Sequence, residues 1–460
     1  MPESCRFDES APRLLRVLHD ELGRAQVENG VVLRDATGRL SFFSRAAIDP
    51  VKRDAVVEKV RVRLGPYARP DRQLVGPDEP GARNVLDDPG ALRLFANFAD
   101  IDEPDRNDVV QYCVQYQYLD RRIVGADWLR RPSAPSIDEA QARNANERGA
   151  LRVAFASLKG GVGRTTALTV VAADQARKGR NVLVLDLDLE APGVGSLLLT
   201  ADRTPPFGAI DFLVERNFGS VDRAMVDDMM GTSALTHGQG LVNVVPAVGS
   251  RTLEAPANYL AKLSRAMIEA VSEAGEPVSL AGKLREMLGA LEAARRYDLV
   301  LIDVRAGLAE LTAGPLLALN TEVLLFGTDQ QQTLQDLRFL LAHLASLTGA
   351  ARPSEWDRLK MVHAKASVAA RVSAFRDAVW DLFSTYLYVE AVELDAFNFD
   401  VDAAEAPHYP IVIPLDTAFA DWDPVASPDQ LIETYYARTF GDLLAYVDDL
   451  FAVDAPDGQS

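Results

Sequence analysis

SLKGGVGRTT, Ser157–Thr166, is the stretch on which the reading of this chain turns. A phosphate-binding loop has to leave a buried strand, turn tightly with its amide hydrogens inward, and open a helix whose N-terminus faces the anion. Leu151–Ala156 (LRVAFA) supplies an apolar strand, and Thr165–Lys178 supplies the helix. Gly160, Gly161 and Gly163 lack a Cβ, so backbone there can approach phosphate oxygens closely. In the general P-loop spacing a cation follows the last glycine, then a Ser or Thr for Mg²⁺. Arg164 and Thr165 hold those places.

Outward from the loop, apolar runs alternate with helical stretches. The predicted strands are Leu151–Ser157, Asn181–Leu185, Leu241–Val245, Leu299–Ile302, Val323–Phe326, Leu359–Val362 and Ile411–Ile413. The predicted helices are Thr165–Lys178, Tyr259–Ala274, Leu280–Arg296, Thr333–Leu347, Ser367–Leu387 and Leu431–Phe451. This alternation is the βαβ signature. Strands so uniformly apolar suit a sheet covered on both faces. The expected fold class is therefore α/β, a doubly wound, mostly parallel sheet preceded by a small α+β N-terminal domain.

The expected domains are 1–130, a linker at 131–150, and a nucleotide-binding domain at 151–460. The linker rests on RPSAPSIDEAQARNANER (Arg131–Arg148), polar and without apolar period. In the first domain Leu14, Leu15, Leu18 and Leu22 predict one helix and Val51–Val62 another. Val31–Phe43 predicts a hairpin closing on Asp35–Gly38. Tyr116–Arg130 is read as a helix and turn with Trp128 in a small core, or as a docking surface for a partner. No residue of this domain is a candidate for catalysis.

Composition excludes several classes. Hydrophobic residues make up 48% and charged residues 25% of the 460, an ordinary globular balance. No apolar run approaches the roughly 18–20 residues that span a bilayer. The start of the sequence has no basic stretch leading into an apolar one, so no signal peptide is expected. Cys5 and Cys113 are the only cysteines, which excludes a disulfide framework or a CxxC metal site and points to the cytoplasm. The five histidines are scattered, against a metal cluster. The net charge is −19, and it is uneven: residues 1–150 hold 23 basic and 25 acidic side chains, the remainder 25 and 42. Such an acidic surface disfavours DNA and anionic lipid.

Lys159 stands directly before the double glycine, where an ordinary P-loop requires no lysine. The layout KGGxG[K/R][ST] resembles the variant loop of the ParA/MinD family of ATPases. The strand Asn181–Leu185 ends in Asp186-Leu187-Asp188 and continues as DLDLEAPGVGS (Asp186–Ser196), similar to the family's switch segment. YDLVLIDVRAGLAE (Tyr297–Glu310) resembles its Walker B strand, ending in Asp303. PIVIPLDTAF (Pro410–Phe419) is similar to its segment near the base. The likeness spans about Leu151–Phe451.

The resemblance implies a site. Gly160, Gly161, Val162, Gly163, Arg164, Thr165 and Thr166 bind the ATP phosphates, and Pro414 and Asp416 lie near the base. Thr165, Asp186 and Asp303 order Mg²⁺. Lys159 reaches the ATP of a second subunit in a sandwich dimer, Asp188 orients the attacking water, and Arg164 neutralises phosphate oxygens. Asp303 also sits where doubly wound sheets place ligands, at the carboxyl end of its strand. The alternative reading, which suits Glu190 better than the Asp186/Asp188 pair, is a carboxylate that caps the following turn. Arg305 either reaches phosphate or the partner subunit, or makes a surface ion pair. Where the family often has an adenine-contacting Asn, this strand reads LKMVHAKAS, offering His363 and Lys365.

Arg164 is the main departure, since most of the family has lysine there. Arginine is a wide planar fork where lysine is a point charge. A misplacement of about 1 Å can cost on the order of a hundredfold in rate, so binding is expected to survive and hydrolysis to be slow. The expected function is an ATP-driven dimerisation switch with a co-encoded protein partner. The alternative is a nucleotide-sensing module with little hydrolysis, docking an effector through residues 1–130. Relatives that carry iron–sulfur clusters need cysteines this domain lacks. A MinD-like membrane anchor needs a basic amphipathic end, whereas this one reads YVDDLFAVDAPDGQS. Tyr435, Tyr436 and Tyr446 fall inside a helical pattern, unlike a tyrosine-kinase tail.

Overall fold

The computed structural model describes residues 5–97, 113–122, 125–129, 149–235, 239–272, 275, 277–348, 356–388 and 397–453. The expected linker at 131–148 lies outside them. The chain forms two compact units, Met1–Leu129 and Arg130–Ser460.

The first unit is a five-stranded sheet. β1 (Val31–Arg34), β2 (Leu40–Phe43), β3 (Leu74–Val75), β4 (Leu92–Asn97) and β5 (Cys113–Asp120) lie in the order β3-β2-β1-β5-β4. β1 and β2 form the expected hairpin, Val31 facing Phe43 and Arg34 facing Leu40. Its turn closes because Asp35 Oδ1 accepts from the Thr37 and Arg39 amides at 2.9 and 3.0 Å. The period of two sorts the sheet's faces. Val32, Leu40 and Phe42 pack against Leu14, Leu15 and Leu18 of helix Phe7–Leu22 and Val56 and Val60 of helix Pro50–Leu64. Val31, Leu33 and Phe43 point the other way, onto Ala82, Val85 and Leu86.

The helix expected within Tyr116–Arg130 is instead β5, followed by a single turn at Asp127–Leu129 that buries Trp128. Tyr116 and Tyr118 join the helix-side core while Leu119 joins the opposite one. That alternation is a strand's, and burial of ring-bearing residues on a pleated face outweighs their helical spacing.

The second unit has an eight-stranded sheet. β6 (Leu151–Ser157), β7 (Val182–Asp186), β8 (Gly231–Thr232), β9 (Val242–Val245), β12 (Leu299–Asp303), β13 (Glu322–Gly327), β14 (Leu359–Ala366) and β15 (Ile411–Pro414) run in the order β15-β14-β13-β6-β12-β7-β9-β8. All adjacent pairs are parallel except the short edge strand β8. A separate small hairpin joins β10 (Ala270–Val271) to β11 (Pro277–Val278). It replaces the far half of the helix expected at Tyr259–Ala274, which ends at Ala266. Gly275, with φ +82°, belongs to that connection.

Every residue of β7, β9 and β12 is buried, as a doubly wound sheet requires. Helix Arg164–Arg177 buries most of its circumference between the sheet and helix Glu433–Val453. β6 lies between β12 and β13; the chain leaves β6 toward β7 on one side and later crosses from β12 to β13 on the other. That switch point opens a crevice at the carboxyl ends of the strands. No described helix is long and apolar enough to cross a membrane.

Candidate functional site

The loop after β6 enters that crevice. Gly161 and Gly163 take left-handed backbone, φ +74° and +88°, which side-chain-bearing residues adopt only with strain. The first closing bond of the following helix runs from the Ala167 amide to the Gly163 carbonyl, 3.0 Å. The amides of the first helical turn therefore have no intrahelical acceptor. Among the described residues the amides of Gly160–Gly163 also donate to nothing. These donors, held in a tight turn at a helix N-terminus, form an anion-binding nest.

Beneath the loop two carboxylates meet. Asp303 and Asp186 are cross-strand partners at the ends of β12 and β7, and both are buried. Asp186 Oδ1 accepts from the Asp188 amide at 3.0 Å, and its Oδ2 accepts from the Gly193 and Val194 amides at 3.2 and 3.1 Å. It thus fastens the whole turn from Asp188 to Val194. Burial, with the Asp303 charge beside it, pushes the Asp186 carboxyl up to about 7. Burial likewise raises Asp303, against the pull of the Arg164 guanidinium. Two such carboxylates favour a cation between or above them.

Arg164 provides one. Its Nε donates to Asp303 Oδ1 at 2.5 Å, Nη1 to Ser157 Oγ at 3.1 Å and Nη2 to Asp188 Oδ2 at 2.9 Å. Thr165 Oγ1 donates to the other Asp303 oxygen at 2.7 Å. One planar fork therefore joins β6, β7 and β12.

The crevice is a cavity of about 800 Å³, lined at one end by Gly160–Thr166, Asp188, Glu190 and Arg305. Its other end is Ile413, Pro414, Leu415, Phe419 and Phe440, with Asp416 and Thr439. Asp416 accepts from the Ala418 amide at 2.9 Å and from Thr439 Oγ1 at 2.7 Å. A nest of donors at one end and an apolar cleft at the other fit a nucleotide. Among the described residues no three His, Cys, Asp or Glu side chains form a ready-made metal site. Thr165 and Asp303 beside the nest suit Mg²⁺, which takes few protein ligands and keeps waters and phosphate oxygens.

The expected site residues are thus mostly gathered, with distinct placements. Val162 turns its side chain into the core. Lys159 lies in the open, its Nζ donating to Gln330 Oε1 at 2.5 Å. Arg305 forms an ion pair with Glu190, the surface-pair alternative among its expected roles. His363 is buried and stacked on Phe375 at 4.3 Å, whereas Lys365 lines the cavity. Ser157, Phe419, Thr439 and Phe440 were not among the expected residues. Ser157 was discoverable as the last residue of the strand entering the loop and Phe419 as the last residue of the quoted segment near the base, whereas Thr439 and Phe440 come from a distant helix with no motif.

Residues 151–353 match a family model described as an AAA domain. The chain is 28% identical over 203 residues to the chromosome-partitioning ATPase Soj of Thermus thermophilus, a match covering 44% of this chain and 64% of that protein. The chain therefore spans just under two thirds of that relative's length. Among solved structures, the cell division ATPase MinD of Pyrococcus furiosus aligns at 20% identity over 65% of this chain and 99% of its own, with a TM-score of 0.40. The septum site-determining protein MinD complexed with Mg-ADP, from Pyrococcus horikoshii, aligns at 18% identity over 66% and 99%, with a TM-score of 0.41.

Proposed function

We propose that the second unit is a ParA/MinD-like P-loop domain, a reading supported by its likeness to an AAA-domain family model and to a chromosome-partitioning ATPase, and that the protein binds ATP with Mg²⁺, hydrolyses it slowly, and is dimerised by the bound nucleotide to recruit or position a partner. The observation that carries this reading is the convergence of Arg164, Thr165, Asp188 and Asp303 beneath a loop with unspent amides.

In hydrolysis a water oxygen bonds to the γ-phosphorus while the bond to the β–γ bridging oxygen breaks. The reaction asks the protein for positioning and charge stabilisation. The Gly160–Thr166 amides hold the phosphates, and Pro414 and Asp416 flank the base. Thr165 and Asp303 would hold the metal, with Asp186 ordering the segment beside it. Bound there, Mg²⁺ would supply charge neutralisation to the phosphates. Asp188 orients the water, and Arg164 pairs with phosphate oxygens bidentately. Lys159 reaches the nucleotide of the second subunit.

Slow turnover follows from Arg164. Its guanidinium has to exchange buried carboxylate partners for phosphate, and Asp188 is not free until it does. The same contact favours the second reading, a nucleotide sensor with little hydrolysis. In either case residues 1–130 dock or regulate a co-encoded partner across the 131–150 linker. Action in the cytoplasm fits both, and the acidity disfavours DNA.

Light scattering with and without ATP, with phosphate release measured in parallel, separates the readings. A dimer with slow release supports the switch. Tight binding with neither supports the sensor, and no ATP binding sinks both.

A further inference from the structure

β14 and β15 pair at His363–Val412 and again at Ala366–Pro414, so β14 carries one more residue than its partner between those points. The extra residue makes a β-bulge, a device that re-aims a side chain. Lys365 sits in it with φ +56°, a left-handed conformation shared among the described non-glycine residues only by Asn320. Such backbone persists where its surroundings over-determine it. Here buried His363 anchors one side of the bulge, stacked on Phe375. On the other side the Leu415 amide donates to the Ala366 carbonyl at 2.8 Å.

The bulge brings Lys365 to the phosphate loop. Its Nζ donates to the Gly161 carbonyl at 2.7 Å. Across a trans peptide the carbonyl and the next amide point in opposite directions. Holding the Gly161 carbonyl toward Lys365 therefore holds the Val162 N–H on the opposite side. Glycine at 161 has little intrinsic preference that would prevent this peptide from turning over.

We propose that Lys365 is a positioning residue that locks the Gly161–Val162 peptide, so that the phosphate nest is formed before nucleotide arrives. This rests on the nucleotide-binding reading above. Direct contact between Lys365 and a phosphate is the competing role, and the measurements below separate the two.

Backbone ¹⁵N relaxation at Gly161 and Val162 in the nucleotide-free full chain is the primary test. Order parameters near about 0.85 in the parent should fall toward about 0.6 in Lys365→Met. Affinity for both ATP and inorganic tripolyphosphate should fall about tenfold, as expected for losing a charge-assisted bond to a carbonyl, and Lys365→Arg should restore much of it. Unchanged relaxation in Lys365→Met overturns the proposal, even if ATP affinity falls, since that pattern marks direct phosphate contact. A parent that binds neither ATP nor tripolyphosphate refutes the nucleotide reading, while the relaxation comparison still decides the lock. If Lys365→Met fails to fold, Lys365→Gly suits the left-handed backbone and serves the same comparison.

Discussion

Arg164 Nη2 donates to Asp188 Oδ2 at 2.9 Å, with both side chains largely shielded from water. The cation proposed to meet the phosphates and the carboxylate proposed to orient the water are each other's partners. A buried pair of this kind is costly to break on one side, about 3–5 kcal/mol when one partner is removed. Entry of a triphosphate offers Arg164 replacement acceptors and leaves Asp188 free to take up water.

We predict that Arg164→Lys raises basal ATP turnover several-fold. Lysine keeps the charge but lacks the fixed fork that spans Ser157, Asp188 and Asp303 together. Steady-state phosphate release measures it. A large loss of turnover would instead mark arginine as the adapted residue.

For Asp188→Asn, kcat should fall by about 10²-fold or more, while ATP affinity stays within a few-fold. Arg164 retains Asp303 and Ser157 in that variant, so the loop keeps its support. Turnover within threefold of the parent would remove Asp188 from the chemistry.

Lys159→Ala should abolish ATP-dependent dimerisation and leave thermal stability nearly unchanged. Among the described residues its side chain makes one contact, an exposed hydrogen bond to Gln330, worth well under about 1 kcal/mol at a solvated site. Light scattering at saturating ATP decides it, and a dimer that persists in the variant rules out action across subunits.

Lys360 makes a pH prediction. Its ammonium donates to the Ala404 and Ala406 carbonyls at 2.7 and 2.9 Å, yet burial pulls its pKa down to about 8. Between about 8 and the ordinary value of 10.5 the unfolded chain holds a proton that the folded chain has lost. Stability then rises with pH across that window, by on the order of 2–3 kcal/mol from this group. Denaturant unfolding at pH 8 and pH 10 should show Lys360→Met lacking this increment relative to the parent. Parallel changes in the two proteins would refute the assignment.

The C-terminal sheet was readable strand by strand because its strands are buried on both faces and stand out as apolar runs. The loop, Asp186 and Asp303 were readable because strand ends and tight turns are local events. The edge strand β8 escaped notice because it is only two residues long, and β4 because its six residues, LRLFAN, carry no clean apolar run. The aromatic period of Tyr116 and Tyr118 was misread as helical, because a few large rings satisfy either repeat until a partner strand is present.

Covalent spacing alone determined that a phosphate loop with Lys159, Arg164 and Thr165 opens a helix, since those residues lie within seven consecutive positions. Tertiary structure decided what each does there. Arg164 meets Asp303 across 139 residues and Gly161 meets Lys365 across 204, through strand order and one extra residue in β14. Such pairings are set by packing and register over the whole sheet, which no local spacing encodes.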